Sequence, residues 1–140
     1  MRRKSLATLK RMARLKVDEL RRTIVDEEKT LATLLAEDER LAAKLTMEMA
    51  AAERMSAFVD FAAFASLVKT QREEIQRQAA AAEERIAELR ARLAEAFAEE
   101  KRFAILEERR AAAARQAQDR AEQSILDEVG LRRHVHGGRD

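Results

Sequence analysis

The chain has 140 residues, 39% charged and 4% aromatic, with no Pro, Trp, Tyr or Cys. That composition excludes a compact globule, a disulfide framework and thiolate metal sites, and its wealth of Ala, Leu, Glu, Arg, Lys and Gln points to long helices or coiled coil. The net charge of +2 conceals a gradient: residues 1–22 hold nine Lys/Arg against Asp18 and Glu19, a net of +7, whereas residues 26–60 hold nine Asp/Glu against Lys29, Arg40, Lys44 and Arg54, a net of −5. A basic end beside an acidic stretch steers and orients a partner without specifying a fold.

Met1-Arg2-Arg3-Lys4 is basic but no apolar run follows it, so no signal peptide is expected. No stretch approaches the roughly 20 apolar residues that a membrane-spanning helix needs. The absence of Cys fits a reducing cytoplasm.

A strict 3-4 heptad frame runs from Leu6 to Met55 through Lys10, Ala13, Val17, Leu20, Ile24, Glu27, Leu31, Leu34, Asp38, Leu41, Leu45, Glu48 and Ala52, with eleven of the fifteen positions apolar. This predicts a first helix over about residues 4–55 with a coiled-coil seam. The four polar seam positions, Lys10, Glu27, Asp38 and Glu48, either set register or face a partner. At 1.5 Å per residue the helix would be roughly 75 Å long.

The heptad phase breaks at Ser56-Ala57-Phe58-Val59-Asp60-Phe61-Ala62-Ala63-Phe64, where three of the five Phe residues cluster. A chain reversal is expected at about residues 55–62, with Ser56 or Asp60 as N-cap of the second helix; a single unbroken rod is the alternative. Phe61, Phe64 and Val68 are spaced to pack over the turn, but a two-helix tip has few places to bury three large rings, so partner binding stands beside that reading.

A second frame runs Ile75, Ala79, Ala82, Ile86, Leu89, Leu93, Ala96, Glu100 and Phe103, and only a looser stripe of Ala111, Ala114, Ala121 and Ile125 continues it. The second helix is predicted over about residues 62–129, longer than the first and overhanging it, with Leu6 opposite the region of Ala111. Gly130 is the expected stop, with Arg132 and Arg133 near the helix's negative end. The expected architecture is all-α, two long helices in an antiparallel coiled-coil hairpin forming one domain over residues 1–130, followed by a flexible tail at 131–140.

Catalysis has little to stand on: there is no Cys nucleophile, no glycine-rich phosphate loop and no His within the predicted helical body. His134 and His136 lack a third ligand, so no metal site is expected, and no cofactor. The chain is expected to bind proteins and not to be an enzyme. The run Glu107-Glu108-Arg109-Arg110 reads most simply as exposed intrahelical ion pairs. The basic N-terminal segment reads as a solvated flank, as a membrane-surface helix or as a phosphate-binding arm. It has no interleaved aromatic for nucleic acid, and its apolar residues already belong to the seam, so neither nucleic-acid binding nor membrane insertion is expected.

Ser5-Leu6-Ala7-Thr8-Leu9-Lys10 followed by Val17-Asp18-Glu19-Leu20, together with Lys101-Arg102-Phe103-Ala104-Ile105-Leu106-Glu107-Glu108-Arg109-Arg110, resembles the two recurring motifs of the flagellar export protein FliJ family. The resemblance covers nearly the whole chain and implies a component of the flagellar type III export apparatus, in bacterial flagellum biogenesis and motility. The nearest confusable group is the injectisome stalk proteins. Members are similar to the central stalk of rotary ATPases, and some escort export chaperones. The resemblance implies cytoplasmic placement, peripheral at the inner face of the cell membrane through partners, and a monomer more than a homodimer.

By the same resemblance, Leu41, Phe58, Phe61 and Phe64 stand where the family contacts the cytoplasmic domain of the export gate, with Lys44 and Glu48 as departures from its pattern. Leu6, Leu9, Arg11, Arg14, Glu107, Arg109 and Arg110 correspond to the part expected in the export ATPase ring. The rival readings are a generic structural coiled-coil scaffold and a basic membrane-surface or nucleic-acid binder.

Overall fold

The computed structural model describes residues 5–137. It is all-α: α1 spans Leu6–Met55 and α2 spans Phe58–Gly137, so the second helix is the longer, and among the described residues there is no strand. The chain reverses at Ser56-Ala57, which excludes the unbroken rod. The described residues divide into two compact units, one of residues 15–96 and the other of residues up to 14 with those from 97 onward.

In the first unit α1 and α2 run antiparallel on either side of the reversal. Val17, Ile24, Leu41 and Ala52 of α1 are buried, as are Val68, Ala79, Ala82, Ile86 and Ala96 of α2. Except for Val68, every one lies on the predicted heptad frames. Four of the nine buried residues are Ala, so this seam gains less from apolar area than a leucine seam would and depends on close backbone approach. Ala82 is fully buried at 0% exposure, whereas Ala80 and Ala81 in the same run are exposed.

The reversal is a helix C-terminal motif. Ser56 has φ of 54°, and the Ala57 N–H donates to the Ala52 carbonyl at 3.0 Å. That six-to-one bond with a left-handed residue inside it is a Schellman cap, a position glycine normally fills. Ser56 therefore closes α1 and does not cap α2, contrary to the sequence expectation. Asp60 sits in the first turn of α2, where a carboxylate meets the positive end of the helix dipole. A side chain in the left-handed region costs about 1 kcal/mol. Ser56→Gly is accordingly expected to stabilise the protein by about 0.5–1 kcal/mol. Thermal denaturation followed by circular dichroism reads the effect, and a lower midpoint would show that the Ser56 side chain itself supports the turn.

In the second unit Ser5 caps α1: its Oγ accepts from the Thr8 N–H at 3.2 Å and its carbonyl from the Leu9 N–H at 3.0 Å. Serine has this preference because its side-chain oxygen satisfies an N–H that the first helical turn leaves open. Ala13 is buried here, and Leu6, Leu9, Lys10, Glu100, Phe103 and Ala104 are half-buried. From residue 105 to residue 137 every position of α2 is exposed, including Ala111, Ala114, Ala121 and Ile125.

The stop expected at Gly130 is not used. α2 continues through it to Gly137, and no glycine among the described residues takes a positive φ. A glycine in a helix interior is tolerated at about 1 kcal/mol relative to Ala, and nothing at Gly130 demands the left-handed conformation that would end the helix. Of the segment expected as a tail, residues 131–137 are helical and 138–140 lie outside the described residues; so do Met1-Arg2-Arg3-Lys4.

Candidate docking surfaces

Three of the four polar seam positions have partners on the opposite helix. Within the unit of residues 15–96, Asp38 accepts from Arg72 through Nε at 2.8 Å and Nη2 at 3.4 Å, and from the Gln76 amide at 3.4 and 3.5 Å. Glu27 pairs with Arg85 at 3.1 Å, beside a further Glu28–Arg90 pair at 3.1 Å. In the other unit Lys10 pairs with Glu107 at 2.8 Å. These bridges act on register: a slip of one heptad would part each acid from its base while leaving apolar seam residues opposite apolar ones.

The Asp38–Arg72 pair is the least exposed of these, with side chains 19% and 32% accessible. Hydrogen bonding from Arg72 holds the Asp38 carboxyl below its ordinary value; partial burial opposes that, and Gln76 and the Arg72 charge reinforce it. Because the folded-state pKa is depressed, the stabilisation is fully present above the unfolded value of about 4 and is lost as pH falls through the lower folded value. Asp38→Asn is therefore expected to lower the melting midpoint at neutral pH and to flatten its fall below about pH 4. Parallel melting curves for wild type and variant on acidification would sink this assignment. Glu37 and Glu74 are also held below their ordinary values, by hydrogen bonds from Arg40 and Arg77 on their own helices.

The fourth polar seam residue, Glu48, is exposed and lines a cleft at the tip with Lys44, Ala51, Ala52, Met55, Ala57, Asp60, Phe61 and Phe64. The cleft has a volume of about 320 Å³. The Lys44 ammonium lies 5.7 Å from the centre of the Phe64 ring, within reach of a cation–π contact. The three tip rings divide their roles: Phe61 and Phe64 are half-buried, and Phe58 is 58% exposed beside Met55 at 78% and Val59 at 85%. Packing over the turn and an outward apolar surface thus occur together. Leu41 is apart from the rings, 6% exposed in the seam, at the floor of a shallow groove with Arg40, Thr70 and Ile75. It holds that groove in place and presents almost no surface of its own.

The seven residues that the resemblance assigns to the ATPase ring fall in one unit. Leu6 and Leu9 are half-buried, Arg14 pairs with Glu100 at 3.1 Å, and Glu107 pairs with Lys10. The run Glu107–Arg110 does not form the intrahelical pairs that its composition suggests. Glu107 is used across the two helices, and Glu108, Arg109, Arg110 and Arg11 have no ion pair among the described residues. Arg11, Arg109 and Arg110 are all exposed. Sequence reasoning singled out neither Glu100 nor Arg72 as an ion-pair partner. Glu100 was marked by its polar character inside the second apolar frame, whereas Arg72 lies ahead of that frame and gave no such signal. His134 and His136, two residues apart in the last turn of α2, project from different sides of the helix.

Architecture and surfaces together define a coiled-coil hairpin protein whose seam is pinned by cross-helix ion pairs. Among the described residues no helix is long and apolar enough to cross a membrane. The model of the flagellar FliJ protein family matches residues 3–139, and the chain belongs to that family. It is thus a component of the flagellar type III protein-export apparatus, within a family of non-enzymatic proteins. No curated protein and no solved structure matches the chain.

Proposed function

We propose that the chain is a stalk or adaptor in the cytoplasm that links the export ATPase ring to the cytoplasmic domain of the export gate. The observation that carries this reading is the family match over residues 3–139, which takes in both helices. Two surfaces of different chemistry support it. The unit holding Leu6, Leu9, Arg11, Arg14, Glu107, Arg109 and Arg110 offers the exposed guanidinium groups of Arg11, Arg109 and Arg110 beside the half-buried Leu6 and Leu9, suited to acidic grooves of a ring. The tip offers Phe61 and Phe64 lining a cleft and Phe58 exposed on the surface, with Leu41 as a structural support, suited to an apolar anchor on the gate.

The chain supplies no catalytic group in this role. The stiffness of paired helices transmits contact, and the partner ATPase does the chemistry. The purified chain is expected to bind the purified export ATPase and, separately, the gate's cytoplasmic domain. Phe58→Asp should lose the gate and keep the ATPase. A chain that binds neither partner, or a Phe58→Asp variant that binds the gate undiminished, counts against the assignment.

A further inference from the structure

We propose that the cleft at the tip takes a large apolar side chain of the export gate's cytoplasmic domain, with a Lys or Arg of the same segment held by Glu48 and Asp60. This rests on the reading that the tip docks the gate, and adds the chemistry of the segment that it meets. The cleft has a volume of about 320 Å³, and Met55, Phe61 and Phe64 supply its large apolar surfaces. Phe61 and Phe64 are half-buried and Met55 is 78% exposed, so two flat rings and one adaptable thioether stand open around a single opening. A space of that size is at the small end for a binding site and admits one large side chain.

The rim selects the neighbouring charge. Lys10, Glu27 and Asp38, at polar positions of the seam, each meet an opposite charge on the other helix. Glu48, the fourth such position, has no ion pair among the described residues and lines the cleft instead. Asp60 reaches the same cleft from the first turn of α2, and it too has no ion pair among the described residues. Lys44 is the one cation of the lining, and its ammonium lies 5.7 Å from the centre of the Phe64 ring, to which it is drawn. Two carboxylates against one ammonium leave the rim with a net charge of −1. A cation beside the apolar anchor therefore meets two exposed carboxylates, whereas a carboxylate in that place is repelled by both. The aliphatic stem of a Lys or Arg also packs on the apolar wall while its head reaches the rim.

The test has two arms, both on the full chain. In the first it is titrated with the purified cytoplasmic domain of the gate. Glu48→Gln should weaken binding about threefold and Glu48→Lys about tenfold, and added salt should narrow both differences. Asp60 also faces the dipole of α2, so Glu48, exposed in a helix interior, is the decisive position. In the second arm it is titrated with two synthetic peptides, each with a central Phe, flanked by Arg in one and by Glu in the other. The Arg peptide should shift the amide resonances of Ala51 and Ala57, the Glu peptide should not, and Glu48→Lys should abolish the response. If the gate does not bind while the Arg peptide does, the docking assignment of the tip falls and the apolar–basic chemistry of the cleft is supported. The proposal is overturned, with the stalk reading intact, if the gate binds Glu48→Gln undiminished or more tightly. It is overturned equally if the Glu peptide binds as well as the Arg peptide, or if neither binds at millimolar concentration.

Discussion

Ala82→Leu is expected to lower the melting midpoint by on the order of 5–10 °C, while Ala81→Leu one residue earlier leaves it nearly unchanged. The two positions share sequence context and helix propensity but differ in environment, Ala82 being fully buried and Ala81 exposed. Three added carbons at Ala82 have no void to enter, so the helices must separate or neighbouring side chains must leave their rotamers, at about 1–3 kcal/mol. Ala82→Glu should cost more, because it would bury a carboxylate without a partner. Thermal and urea denaturation followed at 222 nm measure both. Equal effects at Ala81 and Ala82 would mean that the two helices do not meet at the assigned face.

Reversing Arg109 and Arg110 to Glu together is expected to weaken binding to the export ATPase by about tenfold or more at low ionic strength, and by less as salt is raised. Neither arginine has an ion pair among the described residues, so the melting midpoint should stay within a degree or two. A stability loss would instead signal a hidden structural role. Lys29→Glu with Lys69→Glu, two exposed changes on the other unit that alter the net charge by the same amount, serve as the comparison for net charge alone. If both variants lose affinity equally, the ATPase reads overall charge and not this surface; if neither does, docking lies elsewhere.

Much of the fold was legible because heptad periodicity is a local property of a helix surface. Both apolar frames locate the buried faces, and the break at Ser56–Phe64 locates the reversal. Two local signals were misread. Ser56 has the side chain of an N-cap but occupies a C-terminal left-handed position, because the Schellman bond from Ala57 to Ala52 wins over its capping preference. Gly130 carries the signature of a stop, yet with no tertiary contact to redirect the chain the helical backbone runs on to Gly137.

The candidate surfaces were less legible. The resemblance groups Leu41 with Phe58 as a contact surface, yet the heptad frame already sets Leu41 in the seam, where it is 6% exposed, while Phe58, off the frame, is 58% exposed. The run Glu107–Arg110 has the composition of self-paired charges, and only the approach of Lys10, 97 positions away, draws Glu107 out of it.

The sequence by itself determined that the chain is helical, that two seams face each other and that one end is basic, because each follows from residues within a turn or two of one another. The tertiary structure alone decided which acid meets which base across the seam and which charged residues have no ion pair among the described residues. Those outcomes depend on the register between helices, and register is set by pairs such as Asp38 with Arg72, 34 residues apart, that no local pattern can match.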